Sequence, residues 1–406
     1  MYAPNAEPQQ GQLRAQNRQQ TNRCFQPSYY RFSKKTNNAV NLTSLIYVSD
    51  AMKTHALALL IASYALSAHA VTYTKVVDTS STLPGQPDPF GVPYQNASYR
   101  NGYAAFVTGS ASNSLDHVVY RWHNGTYTKI ADQATTNGAG VPIGTILGAP
   151  GVDELGNVAF SSAGGKLNLY INGTIFTHNG AGNSFGTYTM PFIRAGVAYS
   201  NTSSAIIRAD ASTSEVVMVN NAPRPGGGTI GSLSSLGAQV DFTSNTVAFK
   251  TSSGIYTTGT QGLKIIYEPG SGLSYAVQGQ LGCVFQNNHN SIQMQNNLGN
   301  IVQLAPPAAN QPGEPTPMTD FIEVATNGTS IAFDDVVETR IHFWNGTRFY
   351  QVIALGDILN GSPVQQLTMG PQSFDGGELL FWANNGWWLA SNLTVQTSDV
   401  REWMYY

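Results

Sequence analysis

His117 and His289, with Arg208, Arg224 and Arg340, are the side chains of this sequence best suited to act on a bound molecule. Removing a proton beside a carboxylate needs a base and a cation that neutralises the carboxylate, and a His–Arg pair supplies both. Elimination on a uronate sugar is chemistry of this kind. His117 or His289 would be the base, and one of the three arginines the neutralising group. Asp116, Asn287, Asn288 and Asn384 are the groups expected to hydrogen-bond a polar ligand. Asp334, Asp335 and Glu338 form the densest acidic cluster, and hard cations such as Ca2+ take several carboxylate and carbonyl oxygens. Solvated loops carry the same residue types, and nothing in their spacing fixes which of them converge. A further acid recurs at strand ends (Asp78, Asp132, Glu268, Asp357), where capping its own turn is the plain alternative to a metal. H-E-x-x-H, zinc-type Cys/His spacing and a phosphate-cradling glycine loop ahead of a helix are all missing from the sequence. No cofactor is expected beyond a structural Ca2+.

The elements that must position these residues are short strands. An apolar triplet returns as Ala104-Ala105-Phe106, Val158-Ala159-Phe160, Val197-Ala198-Tyr199, Val247-Ala248-Phe249, Cys283-Val284-Phe285, Ile331-Ala332-Phe333 and Leu379-Leu380-Phe381. The spacings between successive aromatics are 54, 39, 50, 36, 48 and 48 residues. A polar loop follows each triplet, then a strand such as His117–Trp122 or Ile341–Trp344. In six repeats another strand follows, often across an Asn-Gly turn, which favours the positive φ of a tight hairpin. Periods of this length with four short strands each predict a β-propeller. The chain is therefore expected to be all-β, with seven blades.

The seventh repeat lacks its fourth strand after Ser391. Val71–Asp78 (VTYTKVVD) closely matches Gly125–Asp132 (GTYTKIAD), the fourth strand of the first repeat. Thr72–Val77 is thus expected to pair with Trp387–Ser391 and close the ring, which removes an exposed sheet edge. In such a ring the blade-to-blade loops and the second-to-third-strand loops gather at one mouth, and most of the candidate residues fall in those two loop sets.

Residues 52–70 (MKTHALALLIASYALSAHA) read as a secretory signal peptide, with Lys53 ahead of an apolar core, Ala56–Leu66, and an Ala68-His69-Ala70 cleavage site. That core is too short to span a bilayer. Residues 1–51, rich in Gln, Asn and Arg, read as disordered or as an upstream extension of the gene model. Residues 71–406 carry 13 Lys and Arg against 21 Asp and Glu, a net charge of −8. That balance argues against nucleic-acid and anionic-membrane partners. One cysteine, Cys283, remains in this part and is read as a buried apolar residue. A secreted, extracellular monomer without membrane insertion is expected. Of the sequons at Asn96, Asn124, Asn172, Asn201, Asn327, Asn345 and Asn392, three (Asn124, Asn172, Asn345) are N-G-T hairpin turns that turn chemistry already explains. A eukaryotic secretory pathway would be needed to make this a glycoprotein.

Gly356–Val364 (GDILNGSPV), followed by Met369-Gly370-Pro371 and the Gly377–Phe381 strand, resembles the tandem repeats of secreted, mostly uncharacterised propeller-like proteins. Their pattern is roughly G-D-x-L-x-G-x-x-V, then G-P, then N-x-x-G-x-V-A-F. The match is good in the last repeat, partial at Asp132–Pro142 with Gly148–Phe160, and reduced elsewhere to the triplet. The resemblance implies fold and export. At fold level alone the chain also resembles seven-bladed polysaccharide lyases and sugar-binding propellers, but no catalytic motif of theirs can be matched to its residues. The expectation for function is a binding or scaffold module for glycans or cell-surface polymers. A polysaccharide lyase with its site at the channel mouth is the alternative.

Overall fold

The structure is a computed structural model. It describes residues 71–393 apart from 86–96, 111–112, 180–190, 203, 234–238, 242–245, 259–261, 268–272, 280–281, 288–290, 297, 306–320, 328, 336–339 and 346–348, together with 402–403. The signal-peptide and extension expectations for residues 1–70 fall outside the described residues.

Among the described residues the strands form seven antiparallel sheets of four or five strands, with one small hairpin, Ile358–Leu359 with Ser362–Pro363. The innermost strands of blades 1 to 7 are Ser98–Arg100, Ile146–Val152, Phe192–Arg194, Gln239–Asp241, Leu273–Gly279, Phe321–Thr326 and Leu367–Asp375. The triplets lie on the second strands: Tyr103–Ser110, Val158–Ser162, Val197–Asn201, Thr246–Lys250, Gly282–Asn287, Ile331–Asp335 and Glu378–Ala383. Third strands are Asn113–His123, Lys166–Ile171, Ala205–Ala209, Ile255–Thr258, Ser291–Asn296, Arg340–Trp344 and Gly386–Ser391. The outer strands are Thr126–Ala131, Thr174–Asn179, Ser214–Val219, Lys264–Tyr267, Ile301–Ala305, Phe349–Ala354 and, for blade 7, Thr72–Asp78. This last strand comes from the other end of the chain and sets Thr72 opposite Ser391, Lys75 opposite Trp388 and Val77 opposite Trp387. The Tyr73 hydroxyl also donates to the Val352 carbonyl of blade 6 at 2.6 Å.

Side chains alternate across a strand, so each triplet feeds two seams between blades. Ala104 and Phe106 pack with Leu380, Trp382 and Trp387 of blade 7, while Ala105 and Val107 pack with Val158 and Phe160 of blade 2. In blades 1, 2 and 4 the triplet aromatic thus faces the preceding blade. In blade 3 the triplet faces the other way: Ala198 packs with Ala159, Leu167 and Leu169 of blade 2, and Tyr199 packs with Val247 and Phe249 of blade 4. The triplet alone does not show this inversion, because a one-residue offset moves every side chain to the other face. Cys283 is buried among Ala248, Ile255 and Phe285, and burial pushes its thiol up to about 12.

The inner strand of blade 7, Leu367–Asp375, is nine residues long. It bulges between Met369 and Phe374, where Gly370, Pro371, Gln372 and Ser373 leave the ladder. Gln372 Nε2 donates to the Pro191 carbonyl at the entry to blade 3, at 3.2 Å, and Gly151 of blade 2 lies against both groups. At the turn ends of these blades, Arg100 pairs with Asp375 at 2.9 Å and lies 5.9 Å from the Phe192 ring centroid. Polar contacts of this kind join blades 7, 1, 2 and 3 around the middle of the ring.

Candidate functional site

Three of the four recurrent strand-end acids act as caps, and the fourth, Glu268, lies outside the described residues. Asp78 Oδ1 accepts from the Ser80 amide at 3.0 Å and Asp132 Oδ1 from the Ala134 amide at 3.1 Å, while Asp357 Oδ2 accepts from the Ala354 amide at 2.8 Å. Lysines three residues back (Lys75, Lys129) pair with the first two, and hydrogen bonds from serine or threonine help lower their carboxyl pKa values against the opposing effect of burial. Asp210 is held lower still by the Ser212 and Thr213 groups that donate to it.

The predicted site residues separate as follows. His117, on the third strand of blade 1, is buried, and its Nδ1 donates to the Ile146 carbonyl of blade 2 at 2.9 Å. Arg208 lies beside the turn Asp210–Thr213 of blade 3, paired with Glu215 at 3.2 Å and Asp210 at 3.7 Å. Arg224, in the loop between blades 3 and 4, donates from Nε to the Gly227 carbonyl at 2.8 Å. Arg340 opens the third strand of blade 6, opposite Asp335 and Ala354. None of the three arginines is brought together with His117 by the contacts of the described residues.

Asp334 Oδ1 accepts from the Glu323 amide at 2.7 Å. That amide sits in the bulge of the blade 6 inner strand, where the ladder skips from Phe321 to Val324, so Asp334 satisfies a donor the sheet leaves over. Asp335 is fully buried next to it. Among the described residues no group of three or more His, Cys, Asp or Glu is placed to hold a metal ion. Asn384 adopts φ of 50° in the turn of blade 7. Its Oδ1 accepts from the Gln365 amide and its Nδ2 donates to the Pro363 carbonyl, each at 2.9 Å, which staples the loop from blade 6 to blade 7. Asn287 ends the second strand of blade 5, and Asp116 lies within the third strand of blade 1. His289, Asn288 and Glu338 lie outside the described residues.

Two features were not singled out from the sequence. The first is the residue directly after the triplet aromatic, where the second strand reaches the loops: Ser161, Lys250, Gln286 and Asp334 in blades 2, 4, 5 and 6. Ser161, Gln286 and Asp334 are buried, and Lys250 is half-buried, with its ammonium pKa lowered by burial. The triplet repeat itself marks this position. The second is His342 in blade 6, which is 1% exposed, stacks on Phe333 at 5.2 Å and has no hydrogen-bond partner among the described residues on either ring nitrogen. Strict alternation in Ile341-His342-Phe343 could have found it, since Ile341 and Phe343 pack toward blade 7. Tryptophans that could have stacked on sugars (Trp122, Trp382, Trp387, Trp388) are buried in blade packing, and Trp344 is half-buried.

The sheet order and register define the chain as a seven-bladed β-propeller. No family model and no curated protein matches it. Among solved structures it is similar to the WD40 β-propeller domain of Doa1, at 13% identity over 81% of this chain and 100% of that one, with a TM-score of 0.48. YCF48, solved bound to D1 peptide, gives 13% identity, 81% and 96% coverage and a TM-score of 0.48. PorZ, a bacterial surface component of the type-IX secretion system of Porphyromonas gingivalis, gives 11% identity over 82% of this chain and a TM-score of 0.48, and this chain spans 39% of it. Likenesses of this size say nothing of function. No helix among the described residues is long and apolar enough to cross a membrane.

Proposed function

We propose that the chain is an exported binding or scaffold module that holds an acidic glycan or cell-surface polymer at the loop end of its blades. Lys250 is the observation that carries this reading. It is half-buried at the loop end of a second strand, and no described residue forms an ion pair with it. A desolvated ammonium without a counter-charge gains most from an incoming carboxylate. Export rests on the leader-like residues 52–70 and on the resemblance of Gly356–Phe381 to secreted tandem repeats.

The test is retention of the full chain on an array of acidic and neutral polysaccharides, with Lys250→Ala alongside. Retention on uronate-bearing polymers that falls in the variant supports the proposal. Equal retention of both proteins, or of neither, refutes it. Ultraviolet absorbance from unsaturated uronates released during the incubation would move the reading to a lyase.

A further inference from the structure

Among the described residues, three loops between blades fold into small hairpins. Thr136 bridges to Pro142 between blades 1 and 2, Pro223 to Thr229 between blades 3 and 4, and Ile358 to Pro363 between blades 6 and 7. The tips of the first and third, residues 137–141 and Asn360-Gly361, carry no charge, whereas the second holds Arg224 at its tip. Glycine allows so tight a tip: Gly226, Gly227 and Gly228 all take positive φ, and Arg224 Nε donates to the Gly227 carbonyl at 2.8 Å.

The Arg224 hairpin is a firm arm, and it is anchored beside Lys250. Backbone hydrogen bonds join its two sides from Asn221 to Gly231, Ala222 to Ile230 and Arg224 to Gly228, and Asn220 Oδ1 accepts from the Leu233 amide at 2.7 Å. Ile230 and Leu233 are buried with Phe249 and Tyr256 of blade 4. Leu233 bridges to Thr251, the residue after Lys250, while Ser232 and Ser252 exchange two hydrogen bonds at 2.9 and 3.1 Å. Gly228 is three steps along the arm from Gly231, so at the rise of a strand Arg224 stands roughly 10 Å beyond the base. The surrounding sequence suits an anion. Residues 216–313 hold Arg224, Lys250 and Lys264 against Asp241 and Glu268, three bases less two acids for +1, while residues 71–406 together carry −8.

We propose that Arg224 is the second cationic contact of the Lys250 site, and that the ligand is a polymer bearing carboxylates on successive units, not a single acidic sugar. The inference rests on Lys250 holding a carboxylate, and it adds a second point of attachment. A lone uronate has one carboxylate and can meet one of two cations held apart by the arm. A polyuronate chain laid along the arm meets both. Once one carboxylate is held, the next is already at high local concentration, so the second contact raises affinity without a separate binding event.

Galacturonic, glucuronic and mannuronic acid and their linear hexamers are the probes. They are titrated calorimetrically into the full chain and into Lys250→Ala, Arg224→Gln and Arg224→Lys. Counted per carboxylate, the parent should bind one of the hexamers about tenfold or more tightly than its monomer. Arg224→Gln should lose that gain, while its monomer affinity and melting temperature stay those of the parent. Arg224→Lys keeps the charge and should recover most of the gain, and Lys250→Ala should weaken monomer and hexamer alike. Equal hexamer affinity in Arg224→Gln and the parent would overturn the proposal and leave Lys250 as a single contact. Equal loss in Arg224→Gln and Arg224→Lys would also overturn it, because the shape of the arm and not its charge would then matter. If the parent bound none of the six probes, the Lys250 reading would fall together with this one.

Discussion

His342 makes the stability of the ring depend on pH in a direction and amount that follow from its surroundings. Its neighbours in register are Phe333 and Gln351, and neither imidazole nitrogen meets a hydrogen-bond partner among the described residues. Burial, reinforced by the positive charge of Arg340, lowers the imidazole pKa from 6.5 to about 3. In the unfolded chain the ring takes up a proton as the pH falls below 6.5, whereas in the folded chain it stays neutral until near 3. The unfolded state therefore binds more protons in this window, and stability is lost as the pH falls through it. Between pH 7.5 and 4.5 the loss from this one group is about 2–3 kcal/mol. The perturbation is His342→Leu, which removes the titration at similar volume. Urea unfolding of both proteins at the two pH values is the assay. Lost stacking on Phe333 shifts the variant equally at both, so it cancels, as do the other titrating groups. The acid-induced loss in the variant should be smaller than in the parent by about 2–3 kcal/mol. Equal losses would refute the reasoning, because they would mean that the ring titrates normally in the folded state.

Two further outcomes bear on the middle of the ring and on its closure. Gly151→Ala places a methyl group against the Pro191 carbonyl and Gln372 Oε1, so it should destabilise by about 1–3 kcal/mol, read from the urea midpoint at unchanged slope. Tyr73→Phe removes the hydroxyl that donates to the Val352 carbonyl, and the orphaned acceptor should cost about 1–2 kcal/mol in the same measurement.

The fold was legible because two signals agreed. The triplets marked all seven second strands, and the likeness of VTYTKVVD to GTYTKIAD marked a fourth strand at the wrong end of the chain. Inner strands were harder to see. Ser98–Arg100, Phe192–Arg194 and Gln239–Asp241 are three residues long, too short for any period to show. Turns such as Gly356–Val364 hid the small hairpin Ile358–Pro363, which reads as a polar loop. The site was less legible for a different reason. Residue type gives what a side chain can do, but neighbours decide what it does. His117 donates to a backbone carbonyl of the next blade, Asp334 serves a leftover amide in a bulge, and Asn384 spends both ends of its amide on one loop. These are backbone partners, which leave no mark in the sequence.

The strand Thr72–Asp78 also sets how the molecule would respond to being pulled. It runs antiparallel to Gly386–Ser391 with Thr72 beside Ser391, so the two strands leave the joint at the same corner. Tension between these corner residues would part the rungs of the joint one at a time, like a zip, instead of loading them all together in shear. A joint that heat must melt along its whole length can thus yield in small steps to a steady tug. The propeller would open first between Thr72 and Ser391, leaving the other blades standing.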